Sequence, residues 1–594
     1  MNSSLITPRR IIIAVAVIAL LLLIRQCFKK TDPGTGEADQ VSTWYDAAAT
    51  NLNPYLTVKG ADLYTCARIY QSFGDLDPKS LELQPMIIEK IPVVRTVESG
   101  PHAGQLAYDF TILPEAVWDN GSAITGNDFA FTLKLIYHPL LPTKAFGSYF
   151  KDLSGIDVDP ANPKKFTIYL KQYYILALES MCQIPIMPAY HYDPSNRMGN
   201  IPIADFLDST KLKAMETDPG LKAYAEEFQL PKFTNDPTFI VGSGPYKMET
   251  MNDQGVILVK KKNWWGDKVA ERYPLLTAYP QKLVYKVVKD ENVVENMLKN
   301  GELDIVAGSI SAAKFLEMQQ KDSIASRYNF EVLPSLGYNR WLLNLSLPNL
   351  QDVRVRKALA HIVDYDHLIK NIRLNLAIRT VGPILPSKRY YAKDLVMYDF
   401  NIEKAKVLLA DAGWKDSNGD GILDKVVNGQ NTKFVLDLLV PTNRTNQQYA
   451  ESLTETARLA GIEIKMVTTD IGQITQMTRS GDYQSALLGA ALSPGLSELS
   501  QRYHSKYLAP AGDNRSRYIN PTLDELLGRI ASEQDDTKRD LLYLEAQKIL
   551  YDDLPEIFLF APKQPIITAK KFEGVITASK PGYHEHRFKL KKNN

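Results

Sequence analysis

Helical and strand-like segments alternate along much of this 594-residue chain. A predicted helix ends at Gly461, and the run 462–467 that follows reads as a strand. Asn520 and Pro521 open another helix, with leucines at helical spacing behind them. Such alternation predicts a mixed α/β protein, and the length, with 45% hydrophobic residues, allows a large core shared by several domains.

Composition excludes two broad classes of protein. The 69 Lys and Arg nearly cancel the 68 Asp and Glu, leaving a formal net charge of +1, so binding to nucleic acid is not expected. Three cysteines in so long a chain exclude a disulfide framework. Cys66 and Cys182 lie in apolar surroundings and are predicted to be buried free thiols.

The amino terminus has the layout of a signal sequence or signal anchor. An uncharged apolar run, 11–24, follows two arginines, which predicts export. As a helix this run reaches about 21 Å, against a hydrocarbon core of about 30 Å, so spanning requires the basic residues behind it to snorkel. Lipidation requires small residues before the cysteine, whereas Arg25 and Gln26 precede Cys27. A retained anchor in 1–30, a cleaved signal and lipidation at Cys27 all remain open, and 31–40 reads as a flexible linker.

Several short segments, spread over most of the chain, resemble one known family. They are 52–54, 117–133, 241–246 and 352–360. Their order and spacing resemble the extracellular solute-binding proteins of family 5, the oligopeptide and dipeptide receptors of bacterial ABC importers.

Elementary physics agrees with the secondary structure that this resemblance implies. Asn120 and Gly121 form a hairpin-turn signal, and Thr125 or Asn127 can cap the helix that follows. Asp352 precedes a helix whose apolar residues share one face, which turns Arg354 and Arg356 away from the core.

The resemblance implies a periplasmic-binding-protein-like α/β fold with two lobes joined by hinge strands and an extra domain in the first lobe. Behind the signal segment and linker, the implied division is 41–80, 200–310 and 556–594 for the core of lobe I, 81–199 for the extra domain and 311–555 for lobe II.

The implied function is binding and not catalysis. A membrane-tethered receptor on the periplasmic or extracellular face of the bacterial cytoplasmic membrane would capture a peptide or similar small solute, close its lobes and deliver the solute to an ABC permease. The expected ectodomain is monomeric and needs no cofactor. An anchored sensor or scaffold and a periplasmic hydrolase remain alternatives, although the sequence has neither a Gly-x-Ser-x-Gly nor a His-Glu-x-x-His motif.

Seven residues are candidates for contact with a ligand. They lie beside the first strand, near the crossing between lobes, by a proline loop and near the expected amino-group anchor: Trp44, Tyr45, Asp46, Tyr338, Asn339, Tyr390 and Ser493. Peptide-binding members hold the peptide's α-amino group with an aspartate, but the corresponding stretch 488–495 has Ser493 nearest that place, and a hydroxyl cannot supply a charge-assisted bond. Peptide is the leading ligand class, with sugars, metal chelates or no transported ligand as alternatives.

Two stretches resemble metal sites weakly. Asp416, Asn418, Asp420 and Asp424 have the spacing of the start of a calcium loop, but Val427 stands where the final bidentate acid belongs, and the same residues suit a metal-free turn. The segment 584–586, His-Glu-His, is predicted to belong to a solvated tail. No metal is therefore assigned.

Overall fold

A computed structural model describes residues 39–57, 59–143, 147–150, 152–308, 310–427 and 429–592. The predicted signal segment 1–30 and nearly all of the linker lie outside these residues. Within the described residues, every helix is too short or too polar to cross a membrane.

One sheet of 12 strands runs through the molecule. From one edge to the other, ten strands follow in the order Glu463–Thr469, Val435–Pro441, Ser485–Ala491, Gly337–Leu343, Glu556–Ala569, Ile305–Ala307, Gln40–Tyr45, Lys282–Val287, Gly255–Lys260 and Tyr246–Asn252. Two more strands, Tyr328–Pro334 and Ala377–Ile378, pair with Glu556–Ala569 off this path. Parallel and antiparallel pairs are both present, as in a mixed α/β sheet.

The long strand Glu556–Ala569 joins the two halves of this sheet. Its first residues pair with Gly337–Leu343, and its last residues pair with Ile305–Ala307 and Tyr328–Pro334. We call the strands from Ile305–Ala307 to Tyr246–Asn252, together with Tyr328–Pro334, sheet half I, and those from Gly337–Leu343 to Glu463–Thr469 sheet half II. The chain passes between the halves at 335–336 and again along this strand. Tyr328–Pro334 thus lies in sheet half I, and the division of the chain into lobes, with 311–555 in lobe II, stays a prediction.

A separate four-stranded sheet lies within 81–199, the range predicted for the extra domain. Its strands follow in the order Arg95–Thr96, Leu106–Thr111, Lys165–Leu170 and Leu153–Val158. Helix Gly126–Tyr137 begins with a capping box in which Asp128 accepts the amide of Thr125, so the predicted cap at Thr125 is confirmed. The turn at Asn120 and Gly121 is also confirmed, with Gly121 at φ +83°.

Helices cover both sheets. In the first half of the chain the further α-helices are Gly60–Ile69, Ala177–Gln183, Ala189–Tyr192, Ile203–Leu207, Ser209–Met215, Pro219–Phe228, Lys232–Asn235 and Glu291–Asn300. In the second half they are Ala312–Gln319, Asp322–Ala325, Pro348–Gln351, Val353–His361, Ile402–Asp411, Arg444–Leu459, Ile471–Ser480, Ser500–Tyr503, Pro521–Ser532 and Asp536–Asp553. The remaining strands form three two-stranded ribbons: Gly74–Leu76 with Leu83–Pro85, Asp424–Val427 with Gln430–Lys433, and Phe572–Glu573 with Lys589–Leu590.

Two predictions about charged residues are wrong. Asp352 does cap helix Val353–His361, but Arg356 is only 6% exposed, because its guanidinium donates to the main-chain oxygens of Asp553 and Leu350. The segment 584–586 is not a solvated tail. Glu585 is buried, and its carboxylate pairs with the guanidinium of Arg68 at 2.7 Å.

Candidate functional site

A cleft of about 1030 Å³ lies between the two sheet halves. One wall comes from sheet half I and its connections, and the other from sheet half II and helix Arg444–Leu459. The lining residues fall mainly in 44–48, 59–64, 307–311, 443–449, 562–565 and 580–583. The strand Glu556–Ala569 passes along the cleft at Pro562 to Pro565, where it leaves one half for the other.

The first wall contains three of the predicted ligand residues, Trp44, Tyr45 and Asp46. Packing holds the two aromatic residues in place. The indole of Trp44 donates to the main-chain oxygen of Val288 at 2.8 Å, and the ring of Tyr45 stacks on that of Tyr285 with centroids 4.8 Å apart. Burial raises the pKa of Tyr45, so its hydroxyl stays neutral. Asp46 is the exposed member of the three.

Asn339 belongs to the opposite wall, whereas its neighbour Tyr338 does not reach the cleft. Both lie on Gly337–Leu343, and successive side chains of a strand point to opposite faces. Tyr338 is 1% exposed and donates to the carboxylate of Glu556 at 2.8 Å. Its hydroxyl also lies 3.0 Å from that of Tyr503. Tyr338 thus belongs to a buried polar cluster behind the wall.

Tyr390 and Ser493 also lie outside the cleft lining. The ring of Tyr390 stacks on that of Tyr543 at 4.2 Å, and its hydroxyl accepts the amide of Ser497 at 3.1 Å. The hydroxyl of Ser493 donates to Glu179, on helix Ala177–Gln183, at 3.3 Å. The structure therefore brings four of the seven predicted residues together, and a ligand-binding role for any of the seven stays a prediction.

Comparison with known proteins identifies the family. A family model for bacterial extracellular solute-binding proteins, family 5 (middle), matches residues 92–504. The chain belongs to this family. The oligopeptide-binding protein AppA of Bacillus subtilis (strain 168) is 25% identical over 485 residues, which cover 79% of this chain and 78% of AppA. The nickel-binding periplasmic protein of Escherichia coli (strain K12) is 24% identical over 354 residues, which cover 59% of this chain and 61% of that protein.

Solved structures confirm the predicted fold class. AppA from Bacillus subtilis, in complex with a nonapeptide, superposes with a TM-score of 0.71 at 21% identity, covering 93% of this chain and 99% of that one. NikA from Brucella suis, in complex with Fe(III)-EDTA, superposes with a TM-score of 0.73 at 18% identity, covering 93% and 100%. This family-5 protein therefore has the same overall fold as both structures.

Sequence reasoning missed several lining residues of this family-5 protein. Arg373 follows the π-helical segment His367–Ile372, and Lys563 lies in the middle of the longest strand. Asn446 and Tyr449 come from the first turns of helix Arg444–Leu459. No local pattern distinguishes these residues from others of their type, because only the order of strands in the sheet places them at the cleft.

The contact at Ser493 contains two further charged groups. Burial raises the pKa of Glu179, although the hydrogen bond from Ser493 and the nearby Lys388 oppose that shift. Burial lowers the pKa of the Lys388 ammonium, which donates to the main-chain oxygens of Pro494 and Gly495. This cluster links the predicted extra domain to the segment that follows strand Ser485–Ala491.

The calcium-like stretch folds into a turn held by its own side chains. Asp416 accepts the amides of Gly419 and Gly421 at 2.7 and 2.9 Å, and Asp420 contacts the ammonium of Lys433. Asp424 accepts the hydroxyl of Ser417 at 2.6 Å. Over the described ranges, no group of three or more His, Cys, Asp or Glu residues is arranged to hold a metal ion.

Proposed function

We propose that this protein captures a peptide or a similar small solute in the interlobe cleft and delivers it unchanged to the permease of an ABC importer. The observation that carries the proposal is that residues of both sheet halves line one cleft, at the place where the chain crosses between the halves. The relatives support peptide as the ligand class, since AppA is an oligopeptide-binding protein whose structure holds a nonapeptide.

Binding would act through closure of the two halves. A guest that contacts Asp46 on one wall and Asn339 on the other gains both sets of contacts only when the walls approach each other. Its affinity is therefore greater for the closed arrangement, and this difference shifts the population toward closure. The crossings at 335–336 and along Glu556–Ala569 are the natural hinges.

We further propose that the segment 1–30 holds the receptor at the outer face of the cytoplasmic membrane. This proposal rests on the apolar run 11–24 behind two arginines. A tethered receptor remains near the permease, which raises their effective concentration.

The guest itself is the first test. The full-length chain is purified in mild detergent and then denatured. The small molecules that it releases are identified by mass spectrometry. The recovered solute is then added back, and thermal unfolding is recorded. At 100 times the dissociation constant the bound guest adds about 2.7 kcal/mol of stability. The solute should be recovered unchanged after incubation.

A matched pair of variants ties that binding to the cleft. Asn446→Trp fills part of the cleft and should abolish the thermal shift. Glu455→Trp introduces the same side chain at an exposed position of the same helix and should leave the shift intact. Equal shifts in both variants, or conversion of the solute into products, would refute the proposal.

A further inference from the structure

The lining of the cleft has an excess of basic side chains. Four are basic and two are acidic, a formal charge of +2 in a chain whose total is only +1. The basic ones are Lys59, Arg373, Lys563 and Lys580, and the acidic ones are Asp46 and Glu291. The cleft lining thus carries a net positive charge where a guest would lie.

The basic groups have no carboxylate partner in the described part of the chain. None of the four cationic groups has a carboxylate oxygen within 4.0 Å there. Lys59 donates to the hydroxyl of Thr50 at 2.9 Å. Glu291 lies in the cleft, but its two oxygens accept the amide and the hydroxyl of Ser311, each at 2.6 Å. These cations therefore remain available to a guest.

The side chain of Arg373 reaches the main chain of Lys563 at the crossing between the sheet halves. Arg373 donates to the main-chain oxygens of Leu376 at 3.3 Å and Lys563 at 3.5 Å, and its Nε is buried without a hydrogen-bond partner among the described residues. The residues are 190 positions apart in sequence. Both residues line the cleft, where an anion would gain Coulomb attraction from each of their charges.

Backbone dipoles on both walls of the cleft also favour a negatively charged ligand. Gly60 and Ala61 begin helix Gly60–Ile69 on one wall, and Thr445 and Asn446 lie in the first turn of helix Arg444–Leu459 on the other. The amino-terminal end of a helix carries a partial positive charge. This effect adds to that of the four cationic side chains.

We infer that the guest is an anionic solute whose carboxylate binds at Arg373 and Lys563. Arginine presents a fork of donors that matches a carboxylate, and lysine adds a point charge. Ser493, where peptide-binding relatives have an acid for the ammonium group, lies outside the lining and supplies no anion. This inference rests on the proposed function and narrows its ligand class to acidic peptides or other carboxylates.

Binding of charge-matched probes tests the inference. Glu-Ala-Glu, Gln-Ala-Gln, Lys-Ala-Lys and citrate are titrated into the full-length chain by calorimetry at low and high salt. Glu-Ala-Glu, citrate or both should bind at least about tenfold more tightly than the neutral and cationic peptides, and this preference should weaken with salt. If only citrate binds, the carboxylates come from a non-peptide solute, whereas preferential binding of Glu-Ala-Glu indicates an acidic peptide.

Two variants assign the preference to the pair of cations. The ammonium of Lys563 makes no hydrogen bond within the described residues, so Lys563→Gln should fold normally and bind the anionic probe about tenfold less tightly. Arg373→Lys keeps the charge but loses the fork, and should give a smaller loss. Lys548→Gln, an exposed position outside the cleft, is the matched control and should change nothing.

Failure of this inference can be distinguished from failure of the proposed function. Equal affinity for the three peptides, or an anionic preference that Lys563→Gln leaves unchanged, would overturn the inference and leave the proposed function standing. Failure of every probe to bind would also overturn it. The proposed function would then be judged separately by the solute that co-purifies with the chain, and recovery of a cationic solute would contradict only the inference.

Discussion

Replacing Glu556 by glutamine should destabilise the protein by about 3–5 kcal/mol, since the change leaves a buried arginine without its counter-ion. Glu556 is 1% exposed and begins the strand that joins the sheet halves. Its carboxylate accepts the guanidinium of Arg340 at 2.5 Å and the hydroxyls of Tyr338 and Tyr503 at 2.8 and 2.7 Å. Burial lowers the pKa of Arg340, whereas the charge of Glu556 raises it. The guanidinium stays charged in the variant because arginine is not deprotonated in proteins.

The size of this destabilisation follows from the contacts that the glutamine amide keeps and the one that it loses. Glutamine has nearly the same shape, and its oxygen still accepts a tyrosine hydroxyl, so little packing is lost. The main cost is the stranded charge of Arg340, whose side chain is only 5% exposed. If that is the cause, Arg340→Met in the same chain should recover at least about 2 kcal/mol, because an apolar side chain of similar volume needs no counter-ion.

Urea unfolding followed by tryptophan fluorescence measures these differences, since Trp341 is fully buried next to the cluster. Asp366→Asn is the matched control. It breaks an exposed pair with Lys370, whose side chain is 61% exposed, and should cost no more than about 0.5 kcal/mol. The reasoning is refuted if Glu556→Gln falls within about 1 kcal/mol of the wild type, or if the double variant loses the sum of the two single losses.

Three further predictions concern buried titratable groups. Burial raises the pKa of Glu179 above its ordinary value of 4.5, so ionising it in the folded protein is costly. The wild type should therefore lose stability relative to Glu179→Gln as pH rises from 4.5 through the raised pKa. Thermal unfolding from pH 4 to 7 measures this difference. Burial lowers the pKa of His138 from 6.5 to about 4, so stability is lost as pH falls through that interval; His138→Asn should remove roughly 2–3 kcal/mol of that loss. Cys66 and Cys182, at 2% and 0% exposure, should resist iodoacetamide until urea unfolds the chain, as peptide mass spectrometry would record.

Each of these predictions has a result that contradicts it. Glu226→Gln, at an exposed position, is the control for Glu179→Gln, and identical pH profiles of the two variants would rule out the proposed effect of burial. The ring nitrogen of His138 accepts the amide of Leu140 at 3.3 Å, and asparagine at 138 can still accept it. If His138→Asn loses as much stability in acid as the wild type, the imidazole is not the cause of that loss. Alkylation of either cysteine at the rate of a free thiol in native buffer would disprove its burial.

Features that depend on neighbouring residues were predictable from the sequence. Thr125 and Asp352 cap the helices that follow them, and Gly461, at φ +79°, ends the helix before strand Glu463–Thr469. Cys66 and Cys182 are buried as their apolar surroundings predicted. Caps, turns and apolar faces involve residues a few positions apart, so the sequence displays them directly.

The arrangement of the charged and polar residues was decided by the tertiary structure. Arg68 meets Glu585 across 517 positions, and Ser493 meets Glu179 across 314. Tyr338 and Asn339 are neighbours, yet only Asn339 reaches the cleft, because the pleat of one strand sends their side chains to opposite faces.

The sequence by itself thus determined the family, the α/β class and the local elements, since motif order and periodicity are properties of the chain. Only the tertiary structure brought Arg373 and Lys563 together at the cleft and buried Arg356. Those outcomes depend on which distant strands pair; the alternation within a strand sets which of its faces is buried but does not specify its partner.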